Sequence, residues 1–329
     1  MGWRTNFSRR VMLPALPPPG WSAFHPDRVD ELRRSANSPD APCPFKGHDH
    51  HRLPWRSAGY RQGTSFHGDP PVSFRVSPTY VLENPRDNFI VGHDLLGQLE
   101  GKAETWRLGN ENSEDAVSFN VFRSLQEAGA LTEAVRLLIG VDATDEPELA
   151  VWGRRLGHAS TNPVPELQAA LTELERRPGQ NTEPDVILRV RGWGWVFIEA
   201  KLASPTATLK NKSEKLKDWA KTYGATGAFD IAAVEAANPA IFPEQLLRNV
   251  AVAHRVAGRE RAAVVALVRD VYASSVEAWA DDYLADDSIF TGSATWEQVF
   301  GLTETREELA LLHEYMADKS VNLRPAFKL

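Results

Sequence analysis

The stretch from Val186 to Ala200 constrains the fold more than any other part of this chain. Val186–Val190 and Trp195–Ala200 are two short runs of mostly apolar residues, rich in β-branched and aromatic side chains, and Arg191-Gly192-Trp193-Gly194 separates them. Runs of that length and composition read as strands, and the glycines between them read as a short hairpin connection. A dinucleotide-binding loop at Gly192 and Gly194 is a poor alternative, because no third glycine and no following helix fit it. A third apolar run, Ala262–Val268, follows later in the chain. Continuous apolar strands of this kind belong in a sheet covered on both faces.

Helical signals surround these runs. Ser113 is a suitable N-cap, with Glu114 and Asp115 in the first turn where acids complement the helix dipole. Val117, Val121, Phe122, Leu125 and Ala128 follow at helical spacing, and Gly129 suits the exit. Further helices are expected at about Thr132–Ile139, Val164–Arg176, Ser213–Tyr223, Pro243–Ala257, Ser275–Leu284 and Glu304–Asp318. The order of helix, hairpin, helix, strand and helix predicts an α/β fold with a mixed central β-sheet flanked by helices. Residues 1–105 read as an irregular N-terminal arm or small subdomain, punctuated by Pro and Gly, with short strand-like runs at Val72–Val76, Thr79–Leu82 and Phe89–Val91. Residues 106–300 read as the core, and 301–329 as a helical tail.

Composition bounds the setting. Hydrophobic residues make up 42% and charged residues 25%, as in ordinary globular proteins. No apolar stretch approaches the roughly 20 residues that span a bilayer, so no membrane partner is expected. The prolines after Arg9 and Arg10 break up any signal-peptide pattern. Cys43 is the single cysteine, which excludes an internal disulfide framework and makes a cytoplasmic location the default. Cys43, His48, His50 and His51 are zinc ligands by type, but their spacing matches no common structural-zinc pattern.

The net charge of −7 argues at first against a nucleic-acid partner, yet the charges are unevenly placed. From Lys201 to Lys221, six lysines (201, 210, 212, 215, 217 and 221) face only Glu214 and Asp218, whereas Asp270–Asp287 carries six acids and no Lys or Arg. Such a basic stretch is suited to phosphate contacts, although for a lysine run taken alone a plain solvated helix face is the simpler reading.

The chemistry concentrates in Glu183-Pro184-Asp185 and Ile198-Glu199-Ala200-Lys201. Pro184 cannot continue a sheet ladder, so it belongs at a strand's start, with Asp185 at the strand's mouth. Side chains alternate along a strand, so Glu199 and Lys201 share one face. Pairing of the two strands brings Asp185 near Glu199. Two carboxylates and a backbone oxygen, that of Ala200, form a hard-oxygen site suited to Mg²⁺, with Mn²⁺ as a substitute. Such a site polarises a phosphoryl oxygen and acidifies water, while Lys201 orients that water and offsets developing charge. The plainer reading of Glu199 and Lys201 is an ion pair at a strand end.

At these residues the chain resembles the PD-(D/E)xK superfamily of phosphodiesterases, to which many restriction enzymes belong. "EPDVILRV" followed by "VFIEAK" is similar to its signature, with Asp185, Glu199 and Lys201 at the motif positions. "NSEDAVSFNVFRSL", "QLLRNVAVAHRVA" and "AAVVALVRD" resemble the flanking helices and strand, so that the resemblance runs from about Asn112 to Asp270. It implies a restriction-endonuclease-like core and a metal-dependent nuclease acting on DNA, in defence against foreign DNA or in DNA processing. It also implies that an acid on the first helix joins the metal site. Glu114 is favoured over Asp115, because Glu114 shares a stripe with Val117, Val121 and Leu125. By the same resemblance, Gln245 or Arg248 approaches the phosphate. Lys210, Lys212, Lys215, Arg191 and Trp193 are the expected strand contacts. The alternatives are a catalytically silent nucleic-acid-binding protein and an effector subunit that needs a partner protein. A homodimer is left open, and no DNA-reading module is recognisable.

Overall fold

The computed structural model describes residues 85–99, 108, 113–175, 183–202 and 213–321. They fall into two compact units, one of residues 118–309 and the other of those up to 117 together with those from 310. The strand-like runs at 72–76 and 79–82, and the residues Cys43, His48, His50 and His51, lie outside the described residues.

In the unit holding the chain termini, a 3-10 turn at Pro85–Asn88 precedes helix α1, His93–Leu96. Asn88 Nδ2 donates to the Leu108 carbonyl at 2.7 Å. Phe89–Val91 is a bend rather than the expected strand. The 3-10 turn on one side and left-handed Gly92 (φ 63°) on the other leave no extended run to pair. Helix α2, Glu114–Glu127, begins here and crosses the boundary between the units. Ser113 Oγ accepts from the Ala116 amide at 3.2 Å, the cap that the sequence predicts.

The other unit is built on a seven-stranded mixed sheet in the order β3-β2-β1-β4-β5-β6-β7. Its strands are β1 Glu148–Val151, β2 Arg154–Leu156, β3 Thr161–Pro163, β4 Val186–Val190, β5 Gly194–Ala200, β6 Arg261–Val268 and β7 Ile289–Thr295. The pairings from β3 to β5 are antiparallel, and β6 lies parallel to both β5 and β7. The β4–β5 hairpin closes with Val190 opposite Gly194. Gly194 has to be glycine, because a Cβ there would sit 1.9 Å from the Arg261 carbonyl oxygen. A tight Trp152–Gly153 turn joins β1 to β2, with both residues at positive φ (50° and 73°). That geometry is usual for a two-residue hairpin but strained for tryptophan.

Helices α3 (Leu131–Ile139), α4 (Pro165–Glu175), α5 (Ser213–Tyr223), α6 (Ile231–Ala236), α7 (Glu244–Ala257) and α8 (Trp296–Gly301) accompany the sheet. Leu167 and Leu171 of α4, Leu216 and Trp219 of α5 and Leu246 and Val250 of α7 form one core with Ile187, Trp195, Phe197, Val264 and Val268. Full burial of each such side chain contributes about 1.5–3 kcal/mol. Trp219 anchors this layer, with ring centroids of Tyr223, Phe229 and Phe242 at 4.9, 5.0 and 5.2 Å. Strand residues of the opposite parity, such as Val186, Leu188, Val196 and Ile198, are also buried, and α3 packs on β6 and β7.

Two expectations near the end of the chain change. Ser275–Leu284 is not a helix: a 3-10 segment at Asp270–Ser275 leads into turns. Val276, Trp279 and Ala280 have helical spacing, but tertiary ties override it. Trp279 Nε1 donates to the Gly292 carbonyl at 3.1 Å, and Leu284 bridges to Phe229. The last helix, α9, is Ala310–Val321, preceded by a 3-10 turn at Glu307–Leu309, and so begins later than Glu304. No helix among the described residues is long and apolar enough to cross a membrane.

Candidate active site

Side-chain alternation along β5 sets Trp195, Phe197, Glu199 and Lys201 in one row. The first two lie in the core beneath α7. The row then turns polar at the strand's C-terminal end. Lys201 Nζ lies 2.7 Å from Glu199 Oε1, and the two side chains are only 11% and 5% exposed. Asn249 Nδ2, on α7, donates to the other oxygen, Glu199 Oε2, at 2.8 Å. The main chain at Lys201 is held on both sides, by its own amide donating to the Leu267 carbonyl (2.8 Å) and by Trp296 Nε1 donating to its carbonyl (3.2 Å).

Asp185 meets this strand end from β4. The last paired residues are Val186 and Ile198, so one step further Asp185 comes level with Glu199. Asp185 Oδ2 accepts the Ala200 amide at 2.8 Å. A residue's N–H and C=O leave an extended strand on the same edge, so the Ala200 carbonyl is turned towards that side too. The Asp185 carbonyl accepts from the strained Trp152 amide at 3.2 Å. Beside it, a Cβ on Gly153 would meet the Glu183 side chain at 2.9 Å, so the Trp152–Gly153 turn seats the segment that carries Asp185.

Burying an ion pair costs several kcal/mol of desolvation per ion, which attraction repays only with good geometry and further hydrogen bonds. The Glu199–Lys201 pair has the geometry, and Asn249 adds a hydrogen bond to the carboxylate. As a donor set, Asp185, Glu199 and the Ala200 carbonyl are all hard oxygens, which suits Mg²⁺ or Mn²⁺. Among the described residues, no three His, Cys, Asp or Glu side chains come together.

The other residues singled out from the sequence are spread more widely. Glu114 and Asp115 occupy the first turn of α2, in the unit that holds the chain termini, and both are half-buried. Arg191 is exposed in the β4–β5 hairpin, at the opposite end of β5 from Glu199, and its Nη1 lies 3.9 Å from Asp145 Oδ2. Lys210 and Lys212 lie outside the described residues, and Lys215 is exposed on α5. Gln245 is half-buried on α7. Arg248 is buried and its Nε donates to Glu175 Oε1 at 2.5 Å, an oxygen that also accepts from the Tyr223 hydroxyl at 3.2 Å. Burial pushes the Tyr223 phenol up to about 12, with Arg248 pulling it the other way. Burial likewise raises Glu244, against the pull of Lys215 and Arg248.

Sequence reasoning misses Asn249, the residue of α7 that reaches Glu199. It stands three and four positions from the buried residues Leu246, Val252 and Ala253, and an amide among such neighbours is the signal that could have singled it out. Trp296 is missed as well, because nothing local marks it as a partner of Lys201. Compared with protein-family models, curated proteins and solved structures, the chain matches none of them.

Proposed function

We propose that this chain is a divalent-cation-dependent phosphodiesterase of the PD-(D/E)xK kind, with a restriction-endonuclease-like core and with DNA as its substrate. The reading rests on one juxtaposition: Asp185 bonded across to Ala200, beside Glu199 and Lys201 paired at 2.7 Å on the same strand end. The order of antiparallel hairpin, helix and parallel strand around it supports the same reading.

In this reading Asp185, Glu199 and the Ala200 carbonyl hold Mg²⁺, or Mn²⁺ in its place. The cation supplies Lewis acidity, polarising a phosphoryl oxygen and acidifying water. Lys201 Nζ donates to the attacking water or to the phosphoryl oxygen as charge builds there. Asn249 and the surrounding apolar wall keep Glu199 in place. The basic stretch through Lys210, Lys212 and Lys215 attracts the phosphate backbone. Defence against foreign DNA, or DNA processing, is the biological setting that such an activity fits.

The test is incubation with linear, circular and single-stranded DNA and with RNA, in Mg²⁺, Mn²⁺ or EDTA. Cation-dependent cleavage abolished by EDTA is the expected result. One observation favours a second reading. Both oxygens of Glu199 already accept hydrogen bonds, which also suits a closed structural ion pair in a nucleic-acid-binding protein or effector subunit. DNA affinity without cleavage of any substrate would favour that reading.

A further inference from the structure

We propose that Asn249 is a positioning residue of the candidate site, which fixes the Glu199 carboxylate in the orientation that binds a divalent cation with Asp185. The inference rests on the cation-binding reading above. Asn249 is 0% exposed in the middle of α7. Its Nδ2 donates to Glu199 Oε2 at 2.8 Å, while its Oδ1 is buried with no hydrogen-bond partner among the described residues.

Position 249 is an expensive place for an amide. Asparagine is a weak helix former, and leaving a buried carbonyl oxygen unpaired is unfavourable. Leu246, Val252 and Ala253, three or four positions away, are all buried, so an apolar side chain would suit the helix better. What the amide adds is its bond to Glu199. With Lys201 on Oε1 and Asn249 on Oε2, the carboxylate is fixed through both oxygens, once from its own strand and once from the helix above. Each oxygen keeps lone-pair capacity, because an ionised carboxylate accepts up to about four hydrogen bonds. Ala266, the register partner of Glu199 on β6, offers only a methyl group. The helix therefore supplies an orienting contact that the neighbouring strand does not.

The experiment is calorimetric titration of Mn²⁺ into the wild type and into Asn249→Leu, Asn249→Ser, Asn249→Gln and Asp185→Asn, with metal-free melting curves on the same preparations. Loss of an outer hydrogen-bond partner typically weakens metal binding by roughly 10–100-fold. A loss of that size is expected for folded Asn249→Leu or Asn249→Ser, with recovery of at least part of the affinity in Asn249→Gln, which restores an amide donor. Leu and Ser differ in volume in opposite ways, so one of them remains usable if the other fails to fold. Wild-type Mn²⁺ affinity in either folded variant would overturn the proposal and leave the cation site standing. A loss in Leu and Ser with no recovery in Gln would overturn it in favour of a packing role. Absence of Mn²⁺ binding by the wild type, or undiminished binding by Asp185→Asn, would overturn the cation site as read here and this inference with it.

Discussion

Lys201 Nζ and Glu199 Oε1 are 2.7 Å apart on side chains almost wholly withdrawn from water. That relationship makes the structural role of Lys201 separable from the chemical role proposed for it. In Lys201→Met the glutamate loses its countercharge, and removing one partner of a buried pair costs roughly 3–5 kcal/mol. The metal-free protein should melt lower. Mg²⁺ or Mn²⁺ should return much of that stability, because the cation replaces the lost positive charge. Cation affinity should hold or rise, since like-charge repulsion from the ammonium is gone, while cleavage is lost. Thermal melts with and without Mg²⁺, beside a cleavage assay, measure all three, and wild-type cleavage by folded Lys201→Met would sink the mechanism.

Asp185→Asn keeps the shape and an oxygen to accept the Ala200 amide, so the fold should survive. A neutral amide oxygen holds a hard dication less strongly than a charged carboxylate does. Mn²⁺ affinity should fall by about tenfold or more, as one carboxylate of two is removed. Calorimetry on the folded variant decides it, and an unchanged isotherm would move the cation elsewhere.

The two glycines of the β4–β5 hairpin should respond differently to a methyl group. At Gly192 (φ 75°) a Cβ meets nothing within 4 Å, so Gly192→Ala should cost about 1–2 kcal/mol of backbone strain. At Gly194 the Cβ would stand 1.9 Å from the Arg261 carbonyl oxygen. Gly194→Ala should therefore exceed about 4 kcal/mol or fail to fold. Urea unfolding of both variants tests the contrast, and equal midpoints would contradict the close β5–β6 approach.

Tyr223 links stability to alkaline pH. Burial raises its phenol from 10.0 to about 12, so the folded protein favours the neutral form. The unfolded chain loses this proton first, and it binds fewer protons than the native state across that interval. The contribution is complete below pH 10 and is lost as pH rises from 10 towards about 12. Wild type should therefore lose more stability over that interval than Tyr223→Phe, as read from urea midpoints. Parallel declines would show that Tyr223 is not the group responsible.

The β4–β5 hairpin and β6 are legible in the sequence because each is a sustained apolar run, and their burial on both faces keeps that signal intact. Strands β1, β2 and β3 are not. "ELAV", "RRL" and "TNP" are three or four residues long, and they extend the sheet through pairing with one another and with β4, a long-range effect. β7 is hidden for a related reason, since Gly292 and its polar neighbours in "IFTGSAT" break any period-two pattern. At the site, alternation predicts that Glu199 and Lys201 share a face, and the pairing of the strands predicts Asp185 beside them. The partners that hold these groups come from distant parts of the chain. Asn249 is fifty residues from Glu199 in sequence, and no spacing rule reaches that far.

Trp296 holds the Lys201 carbonyl from ninety-five residues further along the chain. During synthesis, the ribosome therefore releases the Asp185–Lys201 hairpin long before the indole that secures its end. β6 and β7 must also be made before the sheet can close around it. A nascent chain halted between Lys201 and Trp296 carries all three motif residues yet lacks the bond that fixes the strand on which two of them sit. In a cell, the motif and its full support thus become available at different times.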